Sequence, residues 1–324
     1  GLGIGGAKIG PTVSPDGRWI AALRKPEERA TGQNTRLCIL PIDGGEARDL
    51  TLALDRSIFG YQWTTDGALL ALVEDNGDTS VRRVTLDETV ATVVGGTRIV
   101  DDFAAAEGGI AFIASAPDAP SDLWFRDTDG GERRLTDIHA RLLAEREVII
   151  PQEIRYPAPD GLEIQGWVLY PPGFDPNRTY PMAVFIHGGP HTMWGPSFRT
   201  LWPDWQAAAG QGYVVFFCNP RGSEGYGQTF QTALHDHILA EGDQPAMLWS
   251  CQALETLLGV WLRRAQFDGV YREMLSLGEL AIAGSAAPEW KIQAVRDLLG
   301  RMASPVNMAV LLSMLYAGEN VLAL

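Results

Sequence analysis

The chain has 324 residues, 46% apolar and 20% charged, the composition of a folded protein of about two domains and not of a disordered chain. Its formal charge of −14 is spread evenly, with 16 basic against 24 acidic residues in 1–150 and 10 against 16 in the remainder. Neither half offers the basic surface that neutralises phosphates, so nucleic acid and anionic membrane are not expected as partners.

Cys38, Cys218 and Cys251 are few and far apart, a usage that fits reduced thiols in a cytoplasmic protein and holds no zinc pattern. The longest apolar run near the end, 308–318, is shorter than the ~20 residues a bilayer requires. The chain opens on Gly1-Leu2-Gly3-Ile4 without a Met or a charged leader, so no signal peptide is expected, and the missing Met suggests a piece of something longer.

Ser14-Pro15-Asp16-Gly17 is a turn followed by an apolar strand to Leu23, and Thr35 to Leu40 is a second strand closed by Asp43-Gly44-Gly45. A like unit runs from Tyr61 through Asp66-Gly67 to Leu72, then Val81 to Leu86. A third runs from Phe103 through Gly108-Gly109 to Ile113, then Leu123 to Arg126 and Asp129-Gly130-Gly131. The step from Asp16 to Asp66 is 50 residues and that from Gly67 to Gly109 is 42. Short strands, Asp-Gly turns and a period in the forties predict four-stranded β-propeller blades, with an antiparallel sandwich as the alternative.

The rhythm changes at Asp137. Residues 139–146 read as a helix, 152–156 and 163–170 as a hairpin about Asp160-Gly161, and 182–186 and 213–217 as buried strands with a helix over 203–210 between them. Strands alternating with helices predict an α/β sheet whose ligands approach the strand C-termini. Past His235 the pattern is helical over 246–264, 271–277, 291–302 and 308–315. Those segments are apolar on most faces, which predicts packing helices and makes a homo-oligomer plausible.

Two motifs carry chemistry. His187-Gly188-Gly189-Pro190-His191 follows the first buried strand, and two glycines there let backbone N–H groups approach a developing oxyanion. The intervening Gly-Gly-Pro cannot be helical, so His187 and His191 are poor metal ligands at that spacing. Asn219-Pro220-Arg221-Gly222-Ser223-Glu224-Gly225-Tyr226-Gly227 follows the next strand and places a guanidinium where a substrate carboxylate or carbonyl would lie. Ser223 is not read as a nucleophile, because Arg221 fills the place where a nucleophile elbow needs a small residue.

These stretches, with Asp160 to Trp167, Pro172-Gly173-Phe174-Asp175 and Tyr180-Pro181, resemble the prolyl oligopeptidase family of serine peptidases, in its acylaminoacyl-peptidase and dipeptidyl-aminopeptidase branch. The likeness is close over 148–231 and looser over 14–136. It implies an α/β-hydrolase-like domain preceded by an incomplete β-propeller, with residues 1–136 as propeller blades and 137–324 as the hydrolase-like part, divergent after about 236. It implies hydrolysis of short peptides through an acyl-enzyme, without cofactor or metal. His187, Gly188 and Gly189 then lie at the oxyanion and substrate site, and Arg221 and Tyr226 line the cleft.

The nucleophile is the point of departure from the family. Its nearest candidate is Ser285 in Ala283-Gly284-Ser285-Ala286-Ala287, where alanines stand in place of the elbow's glycines; a helix N-cap ahead of Glu289 is the competing reading. Beyond Ser285 the chain holds one Asp, Asp297, and no His, since all five histidines precede it. The Ser-Asp-His order of the fold is therefore unrecognisable here, and the alternatives are a shortened or rearranged relative and a non-catalytic peptide-binding or scaffold protein.

Overall fold

A computed structural model of the chain describes residues 10–25, 32–158, 161–187 and 191–239. The helices expected over 246–315 lie outside the described residues, as does Asp160 of the expected hairpin turn. The described residues fall into two compact units. The first comprises those up to Val148 together with Met193–Trp202 and Glu224–Thr232, and the second Ile149–Thr192, Pro203–Ser223 and the residues from Ala233 on.

The first unit is three four-stranded antiparallel meanders taken in chain order. They are β1 (Thr12–Val13), β2 (Trp19–Arg24), β3 (Arg36–Pro41) and β4 (Arg48–Asp49); β5 (Ile58–Trp63), β6 (Leu69–Asp75), β7 (Asp78–Val84) and β8 (Val90–Val94); and β9 (Ile99–Ala106), β10 (Gly109–Ala116), β11 (Ala119–Asp127) and β12 (Glu132–Arg134). A single parallel pair, Thr79 with Ile99, joins the second meander to the third. Strand β6 shows why its sequence is apolar without alternation. Leu69, Ala71 and Val73 enter one core with Ala21, Leu37 and Ile39, while Leu70 and Leu72 enter another with Phe103, Ile110 and Phe112. A sheet buried on both faces selects such a run.

Two of the Asp-Gly turns share one chemistry. The hydroxyl of Ser14 donates to Asp16 at 2.6 Å, and that of Thr64 donates to Asp66 at 2.5 Å. Asp16 is held at a pKa of about 2 chiefly by the Ser14 bond, and Asp66 at about 2 chiefly by Arg83 and then Thr64. The β6–β7 hairpin turns on Asn76-Gly77, both at positive φ (52° and 83°), the backbone of a two-residue hairpin. The third meander is tied to the segment leaving it, Thr136 to Ile138, by Asp122, 2% exposed. Burial alone would raise its pKa, but bonds from the Thr136 hydroxyl, the Ile138 N–H and the Arg134 guanidinium hold it below the usual carboxylate range.

A short helix α1 (Ala140–Glu145) leads out of the third meander. The second unit carries β13 (Gln152–Pro157), β14 (Glu163–Leu169), β15 (Met182–Phe185) and β16 (Val214–Asn219) in the order β13-β14-β16-β15, with α2 (Trp202–Gly210) between the last two strands in sequence. Strands β15 and β16 are parallel, with Phe185 opposite Phe217. Every residue of β16 is buried. Trp205 of α2 stacks on Phe217 at 3.7 Å between centroids, and Phe217 stacks in turn on Trp167 of β14 at 5.3 Å. Helix α3 (Gln228–Leu239) begins earlier than the signal past His235 suggests. Its first turn is capped from far along the chain, the Gln228 N–H donating to the Asp55 carboxylate at 2.8 Å, so no local N-cap announces it.

Candidate functional site

Because β15 and β16 are parallel neighbours, the two motifs that follow them leave from the same edge of the sheet, the edge at which α/β sheets bind ligands. Beyond β16 the chain makes a turn in which the Ser223 N–H bonds the Pro220 carbonyl at 3.1 Å. Gly222 takes φ 93° there, the third-position conformation of a type II turn that favours glycine. Arg221 and Ser223 in this turn are 4% and 0% exposed, and Asn219 at the end of β16 is 0% exposed.

The two histidines of the first motif contact the turn. His187, 2% exposed, places Nε2 3.1 Å from the Ser223 hydroxyl, and that hydroxyl also donates to the Pro220 carbonyl at 2.7 Å. His191 places Nδ1 2.6 Å from the Gly222 carbonyl. The structure thus brings together His187, His191, Arg221 and Ser223 in the second unit. Tyr226 belongs to the first unit, where its ring meets Phe230 at 4.8 Å. Gly188, Gly189 and Ser285 lie outside the described residues. Among the described residues no group of three or more His, Cys, Asp or Glu side chains could hold a metal ion, and no helix is long and apolar enough to cross a membrane.

In the first unit sequence reasoning passed over a pair of acids, the half-buried Glu74 and the buried Glu224. Glu74 closes the apolar run of β6, and an acid ending such a run was the available signal. Its carboxyl is pushed well above the ordinary range, by burial first and by the charge of Glu224 second. Burial likewise raises Glu224, against the opposing charge of Lys25 and bonds from Gln231 and Ser57. One Glu74 carboxyl oxygen and the Gln231 side-chain oxygen are buried with no hydrogen-bond partner among the described residues.

A raised carboxyl keeps its proton in the folded chain at a pH where the unfolded chain, with its value of about 4.3, has lost it. Stability therefore declines as pH climbs from that value through the raised one. The variant Glu74→Gln lacks this decline and is expected to exceed the parent in stability by about 1 kcal/mol more at pH 8 than at pH 5, read by urea denaturation. An equal difference at both pH values would show that Glu74 titrates as a solvated group.

No family model matches the chain. It is 34% identical over 175 residues to an uncharacterized peptidase, YuxL, of Bacillus subtilis, a match covering 53% of this chain and 26% of that protein. It is 30% identical over 235 residues to dipeptidyl-peptidase 5 of Trichophyton schoenleinii, covering 70% of this chain and 32% of that one. Among solved structures, an acylaminoacyl peptidase of Pyrococcus horikoshii aligns with a TM-score of 0.58 and 26% identity over 68% of this chain and 33% of its own. An acylaminoacyl peptidase in complex with Z-Gly-Gly-Phe-chloromethyl ketone aligns at 0.64 over 78% of this chain and 38% of its own, a likeness of fold at 23% identity. The chain spans about a quarter to a third of the length of these curated relatives.

Proposed function

We propose that this chain, which belongs to the prolyl oligopeptidase family of serine peptidases, hydrolyses short peptides by acyl transfer. The observation that carries the reading is the parallel adjacency of β15 and β16, with His187 and the arginine-bearing turn meeting at one sheet edge. Residues 1–136 are read as blades of an incomplete β-propeller and 137–324 as an α/β-hydrolase-like domain. Three successive four-stranded meanders support the first assignment, and the order β13-β14-β16-β15 with its parallel pair supports the second. Ser285 is assigned as the nucleophile, Gly188 and Gly189 with His187 as the oxyanion side, and Arg221 with Tyr226 as the substrate side. Acyl transfer of this kind draws on side chains and backbone N–H groups, so the reading includes no cofactor or metal. Few and widely spaced cysteines support a cytoplasmic setting, and association between copies remains part of the proposal.

A second reading is a non-catalytic peptide-binding protein, supported by the alanines at 283 and 287 where a nucleophile elbow has glycines. A fluorophosphonate probe followed by peptide mapping separates the two. The peptidase reading expects a label on Ser285 that disappears in Ser285→Ala. A chain that binds peptides and takes no label overturns it in favour of the second reading. Turnover of p-nitrophenyl esters without aminoacyl anilides would make the chain an esterase.

A further inference from the structure

The Ser223–His187 contact has the spacing of a nucleophile and its base, yet the Pro220 carbonyl competes with the ring for the serine's single proton. A serine hydroxyl carries one proton, and the Pro220 carbonyl at 2.7 Å can only accept, at the distance typical of O–H···O bonds. With that proton committed, the 3.1 Å contact to His187 Nε2 is a hydrogen bond only if the ring nitrogen is the donor. The same reasoning fixes His191, because the Gly222 carbonyl 2.6 Å from Nδ1 also accepts only. Both rings therefore donate into the turn from Pro220 to Ser223, one through a hydroxyl relay and one directly to a carbonyl. Ser223 is moreover 0% exposed, with no surface from which to attack a peptide.

We infer that Ser223, His187 and His191 form a directional latch in which the histidines donate and the turn accepts, and that Ser223 and His191 are positioning residues for Arg221. The latch joins the ends of β15 and β16 without passing through the sheet, so it fixes where the Arg221 turn lies relative to the end of β15. Its bearing on turnover rests on the peptidase reading; its proton arrangement does not. His187 Nε2 then does not act as a base toward Ser223, since its proton is already placed on the serine oxygen.

The test uses the full chain labelled with 15N-histidine, recording two-bond nitrogen–proton correlations between pH 7 and 8, with His187→Gln and His191→Asn for assignment. The expected result is a proton on Nε2 of His187 and on Nδ1 of His191, the latter being the minor tautomer of imidazole in water. A proton on Nδ1 alone at His187 would mean that Ser223 donates to the ring, and overturns the latch. On short peptide substrates Ser223→Ala is expected to raise KM roughly 10-fold while kcat changes by less than about 3-fold. If that variant does not fold, His191→Leu should show the same split, with His191→Asn, whose amide can donate to the same carbonyl, restoring KM. Equal losses in kcat with unchanged KM would overturn the positioning role. A parent chain with no turnover counts against the peptidase reading alone, and the tautomers still decide the latch.

Discussion

Gly195→Ala is expected to destabilise the first unit by about 3 kcal/mol, a backbone clash beyond what ordinary overpacking costs. A Cβ on Gly195 would stand 1.7 Å from the carbonyl oxygen of Gly77, a backbone atom at the tip of the β6–β7 hairpin that cannot swing aside as a side chain could. Its neighbours pin the same segment: the Gly77 N–H meets the Met193 sulfur at 3.2 Å, the Ser115 hydroxyl donates to the Ser197 carbonyl at 2.7 Å, and the Trp202 indole donates to the Pro117 carbonyl at 3.0 Å. Relief by sliding the segment would therefore break those bonds. Gly210→Ala is the matched control, since a Cβ there meets nothing within 4 Å, and it should lie within about 1 kcal/mol of the parent. The measurement is urea denaturation of both variants, and a Gly195→Ala chain as stable as the control would show that Gly195 and Gly77 do not approach as closely as described.

That segment marks where sequence reading stops. Strand β6 and the Asp-Gly turns were legible because burial on both faces and a Ser/Thr-x-Asp-Gly turn each leave a local imprint. Strands β1, β4 and β12 were not, being two or three residues long, too short for any periodicity. The start of α3 escaped because its cap, Asp55, lies 173 residues away in the chain. The parallel pair β15–β16 was expected from strand–helix–strand alternation, and its motif ends do leave from one edge. What sequence could not supply was the direction of the bonds across that edge. His187 and Ser223 are 36 residues apart, and only their geometry turns an apparent nucleophile and base into a donor and a relay. Met193–Trp202 and Glu224–Thr232 belong with the meanders although they follow strands of the second unit in sequence. Chain order alone would have assigned them to the other unit.

Trp205→Ala is expected to cost the second unit about 3–5 kcal/mol, the range for removing a fully buried large aromatic side chain. Trp205 is 0% exposed and lies flat on Phe217, with planes 10° apart, while the Phe185 ring meets it edge-on at 6.3 Å. Phe185 and Phe217 are the paired residues of β15 and β16, so this one indole covers the junction of the two strands that deliver both motifs. Losing it leaves a cavity beside that junction, which the strands can close only by moving. Helix α2 itself should stay attached, because the Gln206 amide exchanges two 2.8 Å bonds with the Ile149 backbone. The variant should therefore lose near-UV circular dichroism from the aromatic stack and denaturant resistance together, while Trp205→Phe keeps a stacking ring on Phe217 and recovers most of both. If the latch depends on strand placement, the His191 Nδ1 proton should also exchange faster in Trp205→Ala than in Trp205→Phe. Unchanged stability in Trp205→Ala would mean that the strand junction is held by the backbone pairing alone.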